Sequence, residues 1–504
     1  MNGSSFKTSL RSFSVLGGAQ FINMLANIVK MKVAAVLLGP TGVGLIGFYT
    51  SLFQTSASVA ALGLDSAGAR QLAAADANDG ELAVAKARRA ILWGGLVLAI
   101  VGGSLFFILS PLIARTIVDD HARQSDVAWL SIGVALTVVV ASQTAILTGL
   151  RRVGDLARIN VGASVFSAAL GITALWFWRD QALLAVVLIV PTASALITYF
   201  YVVRLGRTPG RRVSLPELGR EVLSIVRIGV YAMSGVVVLQ LGFLVVRAQV
   251  QRELGAVALG HFQAAWAIGV AYQALVLASV ASDYFPRLTT VIKDRVEAAR
   301  LINQQTEVGL LLCSPLILAL IGFSPWVISI FYSPEFGPAV EVLRWQLIGD
   351  LFKMVFFPLG YALFALGSVR LFSFNQLLSV ITLVIGVFIG IPKLGLQATG
   401  IAYLVMYLVV VPVSWWPLHT RIGFRWNRAV RWQMAVSLAG ATAVAVASQQ
   451  SHPLGAALGG ALAAVVGVWA LIRISMVAQL GGRLSWLAGI GKRIVAFTSR
   501  QNSR

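Results

Sequence analysis

Long apolar stretches separated by short polar breaks organise this chain. A helix crossing the hydrocarbon core needs about 20 mostly apolar residues. Runs of that length occur at 12–38, 42–66, 90–114, 127–149, 159–178, 181–203, 228–250, 256–281, 306–331, 343–366, 369–391, 394–418, 432–449 and 453–474. The pattern predicts an all-α integral membrane protein of about fourteen transmembrane helices. The first stretch follows only Lys7 and Arg11 and is too long and too polar for a signal peptide, so it reads as an uncleaved first helix.

The basic residues test this count. With the N-terminus placed in the cytoplasm, and Arg344, Arg370 and Arg473 at the very ends of their stretches counted with the adjoining segments, the cytoplasmic segments hold 30 Lys and Arg, the opposite loops 6, and the spans 4, which accounts for all 40. A wrong number of helices would scramble that alternation, so the positive-inside bias supports both the count and two cytoplasmic termini. A bacterial inner membrane is the expected location. Composition agrees: 58% of the 504 residues are hydrophobic and 12% charged, against roughly 45–50% and 25% in soluble domains. The net charge of +21 would suggest nucleic acid in a soluble protein. Here it sits in short loops facing anionic headgroups, and no nucleic-acid partner is expected.

The largest cytoplasmic connection, 204–227, carries six basic residues. Ser214 and Glu217, with Pro216 between them, predict a capping box opening a short amphipathic helix. This joint divides the chain into an N-terminal lobe at 1–203, a linker at 204–227, a C-terminal lobe at 228–420, and a final pair of helices with a basic tail at 421–504. A weak repeat agrees. Leu38-Gly39 with Gly44 recurs 216 residues later as Leu254-Gly255 with Gly260, and Leu72 meets Leu288 and Val153 meets Val369 at the same offset. Two pseudo-symmetric six-helix lobes plus two appended helices follow from this plan.

Charge inside the membrane is the most informative chemistry, since each such group costs about 2.5–3.5 kcal/mol on insertion scales. At 100° per residue, Gln20, Asn23, Asn27 and Lys30 lie within about 80° of one another on the first helix, with Lys32 off that face. Gln240 and Arg247 share a face of the seventh helix, and Gln346, Asp350 and Lys353 a face of the tenth. Together they suggest a polar cavity with a cationic floor suited to an anion. Structural alternatives stand beside this: Arg247 snorkelling to the surface, and Lys353 neutralised by Asp350 at i−3.

Other classes are less well served. No phosphate-cradling GxxxxGK[ST] occurs, so the chain does not itself hydrolyse ATP. The single cysteine, Cys313, and four scattered histidines offer neither a disulfide nor a metal-ligand set, and no cofactor or metal is expected. Asp119-Asp120-His121 is the one acidic cluster on the periplasmic side and the only foothold for a membrane glycosyltransferase or ligase. Its loop is too short to build such a site. A drug/cation antiporter would want acidic cavity residues, and the sequence offers only Asp350, with Asp65 near a helix end. A purely scaffolding role in a polysaccharide assembly is the remaining alternative.

Three stretches carry a resemblance: Lys32-Val-Ala-Ala-Val-Leu-Leu-Gly-Pro40, Ser282-Asp-Tyr-Phe-Pro-Arg-Leu288, and Trp345-Gln-Leu-Ile-Gly-Asp-Leu-Phe-Lys353 with Gly360-Tyr361 after it. On these the chain resembles the Wzx-type flippases of O-antigen and enterobacterial common antigen lipids, within the multidrug/oligosaccharidyl-lipid/polysaccharide exporter superfamily. The similarity runs over roughly residues 10–420. It implies a two-lobed, V-shaped bundle, without enzymatic activity, that moves undecaprenyl-pyrophosphate-linked glycans from the cytoplasmic to the periplasmic leaflet by alternating access. An ion gradient would drive it, with Asp350 a candidate coupling residue. Lys30, Lys32, Arg247 and Lys353 would meet the pyrophosphate, while Gln20, Asn23, Asn27, Gln240 and Gln346 would line the glycan path. Membrane lipids and the polysaccharide polymerase and chain-length machinery are the implied partners.

Overall fold

The computed structural model describes residues 3–78, 80–115, 124–206 and 214–477, and every regular element among them is helical. In order these are α1 (Gly3–Ala61), α2 (Leu64–Asn78), α3 (Gly80–Ile113), α4 (Gln124–Gly149), α5 (Val153–Trp178), α6 (Leu183–Val203), α7 (Leu215–Val291), α8 (Arg295–Phe331), α9 (Ala339–Ala365), α10 (Val369–Leu394), α11 (Gln397–Ile422), α12 (Arg428–Gln450) and α13 (His452–Val477). Eleven apolar helical runs are long enough to cross a membrane. Three of them, at 44, 51 and 39 residues, hold two crossings each at about 20 residues per crossing. The breaks lie at Gly39, at Arg179 and at Gly255. Fourteen crossings result, one for each apolar stretch.

The joint at 204–227 differs in one respect from its sequence reading. Glu217 Oε2 accepts from the Ser214 backbone N–H at 3.4 Å, one half of the expected capping box. The helix it opens is no separate short element: it runs straight into α7. Residues 220–228 contain neither glycine nor proline, so nothing stops propagation once the first turn has formed. Asp119, Asp120 and His121 lie outside the described residues.

The 216-residue repeat is a repeat of backbone conformation. Gly39 (φ 64°, ψ −166°) and Gly255 (φ 81°, ψ 176°) break α1 and α7 in the same way, in a region open essentially to glycine alone. The α4–α5 and α9–α10 turns share their closing hydrogen bonds. Arg151 donates to Thr148 O and Arg152 to Leu147 O, as Gly367 does to Phe364 O and Ser368 to Leu363 O. Arg179 and Gly395 close α5 and α10 with positive φ of 43° and 58°, donating to Leu175 O and Ile391 O. Every pair is offset by 216. Leu72 and Leu288, also paired, are each fully buried in a separate apolar cluster.

By internal contacts the chain forms two units, Met1–Ala264 with Phe331–Phe336, and Ala265–Ile330 with Gly337–Arg504. Within the first, the α1 segment after Gly39 crosses the α7 segment after Gly255 at backbone distance. A Cβ on Gly44 would lie 2.7 Å from Ala256 O, and one on Gly260 only 1.9 Å from Pro40 O. Pro40 and Ala256 are repeat equivalents, as are Gly44 and Gly260, so the contact is reciprocal like an isologous interface. Gly47 faces its own equivalent, Gln263, whose Cγ occupies the space a Cβ would need. Small residues permit this approach, as in other membrane helix pairs.

In the second unit, α12 and α13 are tied to α8. Asn427 caps α12 through Val430 N at 2.8 Å, and Asn303 holds that cap by bonding Arg425 O and Asn427 N. Along the same face Gln433 donates to Glu307 O, Ser437 to Ser314, and Arg473 pairs with Glu307 at 2.9 Å. Gly322 meets Gly455 and Gly459 backbone to backbone.

Candidate functional site

Two polar clusters lie within the apolar spans, one in each unit. In the first unit Arg247 is 6% exposed. Its Nε donates to Gln263 Oε1 at 3.1 Å and its Nη1 to Phe243 O at 3.1 Å, with the Phe262 ring beneath the guanidinium at 5.7 Å. This is not a snorkelling arginine: the charge is held inside by a neutral amide, which Gly47 makes room for. These contacts are to an amide oxygen and a backbone carbonyl, and the guanidinium carries further N–H donors.

Lys30 and Lys32 diverge, as helical geometry requires. Lys30 lays its methylene stem along α5, with Cδ 3.5 Å from the Cβ position of Gly171. Lys32 sends its ammonium to the backbone carbonyl of Tyr332. That carbonyl follows the last residue of α8, where helix carbonyls lack intrahelical partners and favour a cation. The rest of the first-helix stripe is mixed. Gln20 and Asn27 are exposed, while Asn23 Oδ1 is buried with no hydrogen-bond partner among the described residues, and so is Gln240 Oε1 on α7. Orphaned acceptors of this kind cost about 1–3 kcal/mol each and are places where water or a substrate hydroxyl would be accommodated.

In the second unit the Gln346–Asp350–Lys353 ladder of α9 meets α7 and α11. Asp350 is fully buried. Its Oδ1 accepts from Gln273 Nε2 at 2.6 Å and Tyr403 Oη at 2.8 Å, and its Oδ2 from Tyr272 Oη at 2.5 Å. Gln273 also accepts from the Lys353 ammonium. The i−3 pairing of Lys353 with Asp350, the structural alternative, is relayed rather than direct: the amide bridges carboxylate and ammonium, and its two ends fix its own orientation. Gln346 packs its amide against Gly269, one turn before Gln273 on α7.

The sequence pattern assembled the α9 ladder but not its partners. Tyr272, Gln273, Tyr403 and Gln263 emerge only in the fold, for they lie on other helices and nothing in their local spacing marks them. Arg344, counted with the loop because it stands second in the tenth stretch, lies well inside the helix there. It is buried in α9, bonded to Ser324 at 3.1 Å and to Glu341 at 2.7 Å, and its partners make it structural.

Comparison with known proteins agrees with this architecture. A multidrug resistance transporter of the MATE family of the MOP superfamily, in its inward-facing conformation, superposes with a TM-score of 0.67 at 16% identity, covering 80% of this chain and 94% of that one. The lipid II flippase MurJ in an inward closed conformation gives 0.66 at 12% identity, covering 91% and 98%. A MOP superfamily transporter from Pyrococcus furiosus, described as having a binding pocket of reversed polarity, gives 0.57 at 16%, covering 82% and 95%. These likenesses establish a shared fold. No curated protein sequence matches the chain significantly. The model of the polysaccharide biosynthesis protein family matches residues 9–291, more than half of the chain, and the protein belongs to that family.

Proposed function

We propose that the protein is a flippase for an undecaprenyl-pyrophosphate-linked oligosaccharide, an O-antigen-type or related surface polysaccharide repeat unit, moved from the cytoplasmic to the periplasmic leaflet. The observation that carries this reading is the sign of the charge in the first unit's spans, where Lys30, Lys32 and Arg247 stand together with a set of side-chain amides. A pyrophosphate in a low-dielectric passage needs such cations, and a sugar chain needs the amides of Gln20, Asn23, Asn27, Gln240 and Gln346. Lys30 and Arg247 are the foremost ligands. Lys32 would have to leave the Tyr332 carbonyl to take part, and Lys353 would have to leave Gln273. Asp350 is the proposed coupling residue, since adding a proton to its carboxylate would break a network of three donors. The two six-helix lobes would alternate access around these residues, in the inner membrane with both termini cytoplasmic.

Replacing Lys30, Lys32 and Arg247 together by alanine should abolish surface polysaccharide in a flippase-deficient strain while the protein still inserts. Normal polysaccharide from that variant would rule the proposal out. The antiporter reading within the same fold rests on Asp350 alone, and drug efflux lost on Asp350→Asn without loss of polysaccharide would favour it.

A further inference from the structure

The outer face of the α12–α13 pair carries a feature the flipping reaction does not use. Arg428, Trp432 and Val436 follow one another at i, i+4 and i+8 on α12, and Arg473, Trp469 and Val465 do so in reverse on the antiparallel α13. The four upper residues, with Ala429, line a groove of about 480 Å³. Trp432 and Val465 are 66% exposed, Trp469 and Val436 39%. Each helix thus presents a cation, then an indole, then an aliphatic side chain, in levels about 6 Å apart.

Charge around the groove is one-sided. Arg425 and Arg431 are exposed beside Arg428. Among the described residues the one carboxylate bonded here, Glu307, is 8% exposed and meets the Nε of Arg473, whose side chain remains 40% exposed. The ordering of cation over indole over aliphatic matches the ordering of phosphate, glycerol and acyl chain in a phospholipid, with tryptophan at the headgroup level where its ring is favoured. A free phosphate would use the arginines and leave the apolar wall empty.

We infer that this groove binds one anionic phospholipid, its phosphodiester between Arg428 and Arg473 and its acyl chain along Trp432, Trp469, Val436 and Val465. The site would anchor the terminal helix pair to the leaflet that faces the basic loops. Native mass spectrometry of the delipidated full chain tests this, with phosphatidylglycerol, phosphatidylcholine, undecaprenyl phosphate and inorganic phosphate as probes. The wild type should retain phosphatidylglycerol about tenfold over phosphatidylcholine, from two arginines near the headgroup. Arg428→Gln should reduce that preference to about twofold, Arg428→Lys should keep most of it, and Arg151→Gln, on the exposed turn between α4 and α5 of the other unit, should leave it unchanged. Circular dichroism would confirm that each variant is folded. Equal retention of the two phospholipids by the wild type, or an undiminished preference in Arg428→Gln, would overturn the inference. So would displacement of phosphatidylglycerol by undecaprenyl phosphate at equal mole fraction, which would reassign the groove to the carrier lipid, or by inorganic phosphate.

Discussion

The Asp350–Gln273–Lys353 relay makes a quantitative prediction. Asp350→Asn keeps the shape but loses the charge behind three bonds at 2.5, 2.6 and 2.8 Å: the amide oxygen keeps two as neutral bonds, and at the third the amide nitrogen must donate to the Tyr272 hydroxyl, which turns to accept. A bond to a charged group contributes roughly 1.5–3 kcal/mol and a neutral one roughly 0.5–1.5, so the change costs about 3 kcal/mol over the three. Part is offset because the amide is less costly to bury than the carboxylate. Lys353→Met leaves the carboxylate without its relayed countercharge, and breaking a buried pair from one side costs about 3–5 kcal/mol. The double variant buries no charge at all, so its loss should stay near 3 kcal/mol rather than the sum of roughly 6–8, a coupling of about 3–5 kcal/mol. Unfolding in mixed micelles, followed by circular dichroism, measures all four corners of the cycle. Additivity within about 0.5 kcal/mol would refute the relay and leave the two charges independent.

Three further outcomes follow from the packing. Gly260→Ala, whose Cβ would fall 1.9 Å from Pro40 O, must force the two helices apart and should cost about 1–3 kcal/mol in thermal stability; Gly309→Ala, with open space around it, should stabilise or be neutral. Arg247→Lys keeps the charge but loses the fork that reaches both Gln263 and Phe243 O, so complementation should fall severalfold while expression holds. Glu307→Gln should loosen α13 by removing the Arg473 pair, seen as earlier proteolysis of the C-terminal helices, with about 1 kcal/mol lost at most since the arginine is partly solvated.

Hydropathy and charge made the fourteen crossings legible, because each rests on local composition and on loop asymmetry that any wrong count would disturb. The repeat was half legible. Gly39 and Gly255 share residue type because their conformation admits only glycine, whereas Arg151 and Arg179 hold the same positive-φ positions as Gly367 and Gly395 without sharing their identity. Conformation recurs there and sequence does not. The Gln346–Asp350–Lys353 ladder followed from helical spacing, but its partners on α7 and α11 required tertiary pairing. Likewise the carbonyl that Lys32 reaches lies 300 residues away, and no periodicity points to it.

The central claim is that cations inside the first unit carry a pyrophosphate across the bilayer. Its most direct test is transbilayer movement of a fluorescent undecaprenyl-pyrophosphate oligosaccharide in proteoliposomes, comparing the wild type with Lys30→Ala/Arg247→Ala at matched protein content. Two charge-assisted contacts are worth roughly 3 kcal/mol or more, so the variant should flip at least about a hundredfold more slowly. Flipping by the variant at the wild-type rate would contradict the account.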